Sequence, residues 1–196
     1  MADPAPTGRA GHLSLLGMPG SGKTTLGRAL AQALALPFLD LDLEIEAHTG
    51  QSIPVLFAER GEAFFRETEA RVLRLVLARP APLVLATGGG TPCFHGNLAA
   101  LQAASLTLWL DVPLPALAAR LAATAATAAT APRPLLAAHP DPAAWLAETL
   151  AHRRGFYAQA RLRCTGAGCA AAILLPQLAA AGFGPAGRAT QPGVGA

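Results

Sequence analysis

A segment near the start of the chain has the residue types and spacing that bind phosphate groups. Residues 17–24 are Gly-Met-Pro-Gly-Ser-Gly-Lys-Thr, which matches the pattern G-x-x-x-x-G-K-[ST] at every fixed position. Glycines let successive backbone N–H groups turn inward around an anion, and the helix that follows adds the positive end of its dipole. Lys23 would reach the outer phosphates, and Thr24 offers a hydroxyl to Mg²⁺. This phosphate-binding loop (P-loop) therefore predicts binding of a nucleoside triphosphate with Mg²⁺.

Two carboxylates follow the second predicted strand. Asp40 and Asp42 flank Leu41, and if the strand continues, its period of two points both side chains the same way. One carboxylate would then hold Mg²⁺ through water, and the other would orient a substrate hydroxyl for attack. The alternative is a pair of helix N-terminal acids stabilised by the helix dipole.

A third group of charged residues has helical spacing. Glu62, Arg66 and Glu69 lie at i, i+4 and i+7, so they share one helix face. They would form either a surface salt-bridge ladder of little energetic value or a pair of carboxylates that hold the Arg66 guanidinium ready for an anionic substrate. The run itself leaves both interpretations open.

Three consecutive glycines follow a short apolar strand at residues 83–86. Gly88, Gly89 and Gly90 cost chain entropy and bury no side chain, so they are expected where the backbone approaches a ligand closely. A plain tight turn is the alternative.

Apolar segments that alternate with helical patterns indicate the class of fold. Strands are predicted over 12–16, 37–40, 83–86, 105–110 and 161–165, and helices over 25–36, 43–78 with interruptions near Gly50 and Gly61, 116–121, 145–160 and 173–181. This alternation predicts an α/β fold with a parallel five-stranded sheet and helices on both faces. Ligands then lie beyond the carboxyl ends of the strands, where the P-loop, the two aspartates and the three glycines should meet.

Composition limits the partners and the location. The chain has 196 residues with a net charge of +3 and no run of Lys and Arg, so nucleic acid is not an expected partner. The hydrophobic fraction of 52% includes much alanine, and no segment approaches the length of a membrane span. No secretory signal is apparent, so a cytoplasmic protein is expected. One domain over 1–196 is predicted, with loose tails at 1–11 and 184–196.

The three cysteines show no recognisable framework. Cys93, Cys164 and Cys169 are an odd set without a C-x-x-C spacing, so neither a disulfide framework nor a zinc site is predicted. Free thiols in a reducing compartment are the expectation.

In combination these motifs resemble the shikimate kinase family, small P-loop kinases of the nucleoside-monophosphate-kinase-like group. The resemblance covers about residues 13–180. It is carried, in the order of the family, by the P-loop, residues 39–42, 57–69, 87–90, 133–136 and 153–157.

The resemblance implies transfer of the γ-phosphoryl group of ATP to the 3-hydroxyl of shikimate, with Mg²⁺, in aromatic amino acid (chorismate) biosynthesis. A monomer is expected, with a substrate-binding region at 41–75 and a mobile lid at 122–140. The implied catalytic residues are Asp42, Lys23 and Arg133. The implied shikimate-binding residues are Asp42, Arg66, Gly88, Gly89, Gly90 and Arg153. The implied nucleotide-binding residues are Gly20, Ser21, Gly22, Lys23, Thr24, Thr25, Arg120 and Arg133, and the implied metal ligands are Thr24 and Asp40.

One of the departures from the family pattern affects a site residue, and two alternative functions remain open. Gly155 stands where the family usually has proline, which leaves Arg153 or Arg154 open as the carboxylate ligand. Another small-metabolite kinase, such as a gluconate kinase, is one alternative, but two arginines and the glycine run favour a carboxylated ring substrate. A non-catalytic shikimate-sensing module is the other alternative. A protein that had lost catalysis would be expected to lack at least one of Lys23, Asp42, Arg66 and Arg133, and all four are present.

Overall fold

A computed structural model describes residues 11–126 and 141–184 of the chain. Five strands in this part form one sheet in the order β2-β3-β1-β4-β5, and all neighbouring strands are parallel. The strands are β1 (His12–Leu16), β2 (Phe38–Asp40), β3 (Val84–Ala86), β4 (Ser105–Asp111) and β5 (Leu162–Thr165). The predicted five-stranded parallel sheet is confirmed, with strand ends within one residue of the expected ones.

Helices cover the sheet on both faces, as predicted. Within the described residues they are α1 (Lys23–Leu34), α2 (Leu41–Thr49), α3 (Ile53–Leu77), α4 (Asn97–Ala104), α5 (Leu114–Ala126), α6 (Pro142–Tyr157) and α7 (Ala171–Ala180). Leu13 and Leu15 of β1 pack with α1 and α7 in one apolar cluster, while Leu16 belongs to a second cluster with residues of α2 to α6. Burial on both faces explains why the three central strands, β1, β3 and β4, are mostly apolar, whereas the edge strands β2 and β5 are only partly buried.

The helical region after β2 has the two predicted interruptions. Gly50 has φ 69° and ends α2, and Gly61 has φ 77° inside α3, where it kinks the helix. Glycine adopts these left-handed conformations without a steric penalty. The kink separates the first turns of α3 from the part that carries Glu62, Arg66 and Glu69.

Helix α4 was not predicted. Its sequence, Asn-Leu-Ala-Ala-Leu-Gln-Ala-Ala, has almost no polar face, so it shows little helical periodicity. Leu98 and Leu101 are buried, and the helix packs against α3 and β4. Two turns of 3₁₀ helix, Thr91–Cys93 and Gly166–Gly168, complete the described part.

Several predictions concern residues outside the described part of the chain. Residues 1–10 and 185–196 of the predicted tails, and residues 127–140 of the predicted lid, lie there, as does Arg133. Of the lid segment, residues 122–126 form the end of α5. Among the residues that are described, no helix is both long and apolar enough to cross a membrane.

The expectation of three free thiols is wrong for two of them. Cys164 and Cys169 form a disulfide, and Cys93 is free. The 3₁₀ turn between the two cysteines brings their Cα atoms to 5.1 Å, within the range that a disulfide spans. The spacing of five residues matches no standard motif, so the pairing depends on a turn that the sequence pattern did not indicate.

Reduction of this disulfide is expected to lower the free energy of unfolding. A cross-link across so short a loop contributes about 2 kcal/mol in the chain-entropy account. Urea unfolding of the oxidised and the reduced protein, followed by circular dichroism, measures the difference. The Cys169→Ser variant is the control, because its stability should not respond to reductant. Equal unfolding midpoints of the oxidised and reduced parent would contradict the prediction.

Candidate active site

The P-loop joins β1 to α1 at the carboxyl edge of the sheet, and its shape requires glycine. Gly17, Gly20 and Gly22 have φ of 142°, 78° and 95°. A Cβ on Gly17 would also lie 2.8 Å from the backbone oxygen of Leu110 in β4. The loop is closed by the Ser21 N–H, which donates to the Met18 carbonyl at 3.1 Å. Only glycine at these positions allows the backbone to wrap an anion at this point.

The side chains that follow the loop point back into it. Lys23 is buried, and its Nζ donates to the carbonyl oxygens of Gly17 and Met18 at 2.9 Å each. Thr24 is exposed, and its Oγ1 donates to Asp40 Oδ2 at 2.8 Å. Since Thr24 opens α1 and Asp40 ends β2, this hydrogen bond brings the predicted metal ligands together.

Asp40 and Asp42 meet by a different geometry from the extended strand considered above. β2 ends at Asp40 and α2 begins at Leu41, so the period of two does not apply. Asp40 is the N-cap of α2, and its Oδ1 accepts from the N–H of Asp42 at 3.1 Å. Asp42 lies in the first helical turn, as in the alternative interpretation, and both carboxylates still line the same cleft.

Each glycine of the segment after β3 lies against a different polar side chain. A Cβ on Gly88 would be 3.1 Å from Asp42 Oδ1, one on Gly89 would be 3.0 Å from Arg153 Nη1, and one on Gly90 would be 2.8 Å from Arg66 Nη2. The Gly89 position also approaches Pro19 of the P-loop to 2.8 Å. The three glycines are therefore the common contact surface of the aspartate, the two arginines and the P-loop.

Arg66 is held by carboxylates, as one of the two interpretations of the helical run required. Its Nε and Nη2 donate to Glu62 Oε1 at 3.2 and 3.1 Å, and its Nη1 donates to Glu69 Oε2 at 2.9 Å. The side chains of Arg66 and Glu69 are 7% and 1% exposed, so this is not a surface ladder. The rings of Phe65 and Phe94 lie 5.1 and 4.4 Å from the guanidinium carbon and restrict it further.

Arg153 and Arg154 occupy different places. Arg153 of α6 lines the cleft beside Gly89, whereas Arg154 is exposed and lies 5.9 Å from the ring of Trp109. The geometry therefore brings Arg153, not its neighbour, to Arg66 and the glycines.

The remaining residues are those predicted to bind the nucleotide. Gly20, Ser21 and Gly22 form the loop, and Thr25 is exposed in the first turn of α1. Arg120 of α5 is exposed, and its Nη1 donates to the backbone oxygen of Ser21 at 3.1 Å. Arg133 lies outside the described residues, so its position relative to the loop stays a prediction.

Sequence reasoning missed part of the cleft wall. Trp145 and Ile53 line the same cavity, whose volume is about 180 Å³, together with Pro19 of the P-loop and with Phe57 and Phe65 of the 57–69 segment. Trp145 precedes Arg153 by eight residues, a spacing that shares a helix face, so it could have been found once Arg153 was placed on a helix.

Cys93 lies close to the arginines of the site. Burial raises the pKa of its thiol, while the charges of Arg153 and Arg66 act in the opposite direction. A thiol with a raised pKa is protonated at neutral pH and is a poor nucleophile. The raised pKa of Cys93 therefore disfavours a thiolate beside the cleft.

Comparison with known proteins agrees with this geometry. The family model for shikimate kinase matches residues 19–175. A shikimate kinase from Synechococcus elongatus is 46% identical over 151 residues, which are 77% of this chain and 75% of that protein. The structure of shikimate kinase from Acinetobacter baumannii in complex with shikimate superposes with a TM-score of 0.77 at 34% identity, over 87% of this chain and 92% of that one.

A more distant structure bears on the gluconate kinase alternative. A gluconokinase from Sinorhizobium meliloti is 18% identical with a TM-score of 0.57 over 88% of this chain and 93% of that one, so it shares only the fold. The family match extends over most of the described part and includes residues 19–24 of the P-loop, the aspartates, both arginines and the three glycines. The chain belongs to the shikimate kinase family and is an ATP-dependent kinase.

Proposed function

We propose that this chain transfers the γ-phosphoryl group of ATP to the 3-hydroxyl of shikimate. The observation that carries the proposal is the shared cleft: the P-loop, the Asp42 carboxylate and two guanidinium groups line one cavity. A cavity of about 180 Å³ has the space of roughly six water molecules, which suits a small metabolite. Shikimate carries a carboxylate for the arginines and a hydroxyl for the aspartate.

The nucleotide phosphates would bind to the P-loop. The backbone N–H groups of Gly20 to Thr25 and the dipole of α1 favour an anion at this place. The Lys23 ammonium, already held inside the loop, would offset charge on the outer phosphates as the γ-group moves. Arg120 lies against the same loop and would contact the nucleotide.

Thr24 and Asp40 fit a magnesium ion. Their oxygens are 2.8 Å apart, and hydroxyl, carboxylate, phosphate and water oxygens are the ligands that Mg²⁺ takes in kinases. Within residues 11–126 and 141–184 there is no cluster of three or more His, Cys, Asp or Glu that could hold a metal. A site with one carboxylate therefore depends on the phosphates themselves for further ligands. When bound, the ion would stabilise charge on the phosphate oxygens.

The acceptor would be held at two points. Arg66 and Arg153 would bind the shikimate carboxylate, since a guanidinium matches a carboxylate in geometry and charge. Asp42 would accept a hydrogen bond from the 3-hydroxyl, orient its oxygen towards the γ-phosphorus and take its proton. Gly88, Gly89 and Gly90 would let the acceptor approach the backbone.

We also infer that one copy of the chain suffices and that it works in the cytoplasm. The P-loop, Asp42 and the two arginines of one chain line the cleft, so the proposed reaction calls for no side chain from a second copy. Its nucleotide substrate is supplied by the cytoplasmic pool.

The proposed acceptor is tested by release of ADP from ATP with Mg²⁺. Shikimate is expected to stimulate release strongly, and gluconate at the same concentration is the control acid. Stimulation by gluconate alone would move the chain to another acceptor class. If shikimate raised the melting temperature without stimulating ADP release, the sensing module would be the better assignment.

Asp42→Asn is expected to lower turnover by about 10²–10⁴-fold, because the amide cannot take the hydroxyl proton. The affinity for ATP should change little, since Asp42 is not part of the P-loop. Steady-state kinetics and ATP binding by calorimetry measure the two effects. Glu44→Gln is the matched control, because it removes a carboxylate from the same helix that pairs with Arg79 and does not line the cleft. Turnover of Asp42→Asn close to that of the parent would refute the assigned role.

Arg153→Lys is expected to raise the KM for shikimate about tenfold or more, because the change keeps the charge but loses the planar fork. Arg154→Lys is the matched control and should leave this KM unchanged. The KM for ATP reports on the integrity of the P-loop in both variants. If Arg154→Lys raised the KM for shikimate and Arg153→Lys did not, Arg154 would be the residue that binds the substrate carboxylate.

A further inference from the structure

Tyr157 is a buried polar group that the proposed reaction does not use directly. It ends α6, four residues after Arg153, and has no exposed surface. Its hydroxyl donates to the carbonyl oxygen of Gly89 at 2.6 Å and lies 3.8 Å from the Met18 sulfur of the P-loop. The ring lies 5.9 Å from that of Trp109. One hydroxyl therefore contacts both the P-loop and the glycine segment of the acceptor site.

The surroundings of Tyr157 favour the protonated form of its phenol. Burial raises the pKa of Tyr157 far above its usual value, and the nearby charge of Arg153 only partly opposes this rise. A protonated phenol is a hydrogen-bond donor, and the Gly89 carbonyl is its acceptor. At 2.6 Å the contact lies at the short end of the usual range for O–H···O hydrogen bonds.

A fixed Gly89 carbonyl also fixes the peptide bond that follows it. The peptide unit is planar and trans, so the Gly90 N–H points to the side opposite the Gly89 oxygen and away from Tyr157. Glycine peptides have the greatest freedom to rotate, and three of them follow each other here. The Thr91 N–H donates to the Gly88 carbonyl at 3.2 Å and closes a turn around this peptide. Both orientations of the central peptide of a turn allow that hydrogen bond, so the bond from Tyr157 to the Gly89 oxygen is what favours one of them.

Rotation of this peptide would disturb the contacts around the acceptor. Gly89 packs so closely between Pro19 and Arg153 that a Cβ would lie 2.8 and 3.0 Å from them. Gly90 packs as closely against the Arg66 guanidinium. A change at this one peptide would therefore reach both arginines proposed to hold the substrate carboxylate.

We propose that Tyr157 is a positioning residue, whose hydroxyl holds the Gly89 carbonyl and so sets the glycine segment in register with Arg153, Arg66 and the P-loop. This inference rests on the proposed function of the cleft as the shikimate site. Tyr157 acts through the Gly89–Gly90 peptide and the arginines rather than by contact with the acceptor.

Tyr157→Phe tests the hydroxyl and keeps the ring. The variant is expected to bind shikimate about five- to tenfold more weakly, which corresponds to the loss of one buried hydrogen bond. The KM for shikimate should rise by the same factor, while the KM for ATP should stay within about twofold of the parent value. Because the phenol stays protonated, the ratio of the two shikimate KM values should be the same at neutral and mildly alkaline pH. Shikimate binding without ATP is followed by tryptophan fluorescence, with Trp109 changed to Phe in both proteins so that Trp145 in the cleft wall is the reporter.

Leu146→Val is the matched control for packing. Leu146 is buried on the same helix in the same apolar cluster and is not among the residues that line the cleft. Its truncation should lower the melting temperature by about 2–4 °C, comparable to the change in Tyr157→Phe, without altering shikimate binding.

The outcomes separate this inference from the proposed function. If the parent responds to shikimate and Tyr157→Phe binds it equally well, the positioning role is overturned. It is also overturned if Leu146→Val weakens shikimate binding as much as Tyr157→Phe does, because loss of stability then accounts for both. If the parent itself does not respond to shikimate, the proposed function fails and the positioning role fails with it.

Discussion

The acceptor side of the cleft depends on one buried ion pair. Arg66 and Glu69 are both almost completely buried, and an unpaired charge at such depth costs several kcal/mol. Each buried charge is therefore stable only when it is paired, and Arg66 Nη1 and Glu69 Oε2 pair at 2.9 Å. The second oxygen of Glu69 accepts from the Thr91 hydroxyl at 2.6 Å, which ties α3 to the 3₁₀ turn after the glycine segment. Removing one partner would cost about 3–5 kcal/mol, so the same pair that holds Arg66 also holds the fold around it.

The two glycine segments of the site exist for different physical reasons. In the P-loop, Gly17, Gly20 and Gly22 adopt positive φ that other residues rarely adopt. The glycines at 88–90 do not have such φ values, and what requires glycine there is the close approach of Glu69, Asp42, Arg153 and Arg66. A substitution in the first segment would strain the backbone, whereas one in the second would displace charged groups that are already fixed by their own partners.

How much the sequence predicts depends on whether a feature is local. The strands, the kink at Gly61 and the P-loop follow from short apolar runs and glycine, and the structure agrees with them. Helix α4 lacks a polar face, and the Cys164–Cys169 pair depends on a 3₁₀ turn, so neither left a periodic signal. Trp145 and Tyr157 reach the site only because α6 presents one face to the glycine segment, which is a matter of packing between elements distant in the chain. Which motif residues line the cleft was thus easier to predict than the contacts that orient them.

Asp40 connects the two halves of the cleft. Its Oδ2 accepts from the Thr24 hydroxyl at the start of α1, and its Oδ1 accepts from the Asp42 N–H at the start of α2. The Asp40 side chain therefore sets where Asp42, the proposed base, lies relative to α1, the helix proposed to bind the phosphates. Phosphoryl transfer needs the attacking oxygen in line with the phosphorus and needs little covalent chemistry from the protein, so small errors of position are costly. The Asp40 side chain that caps α2 therefore also aligns Asp42 with α1. It can do so because β2 ends at Asp40, so that α2 begins at the next residue.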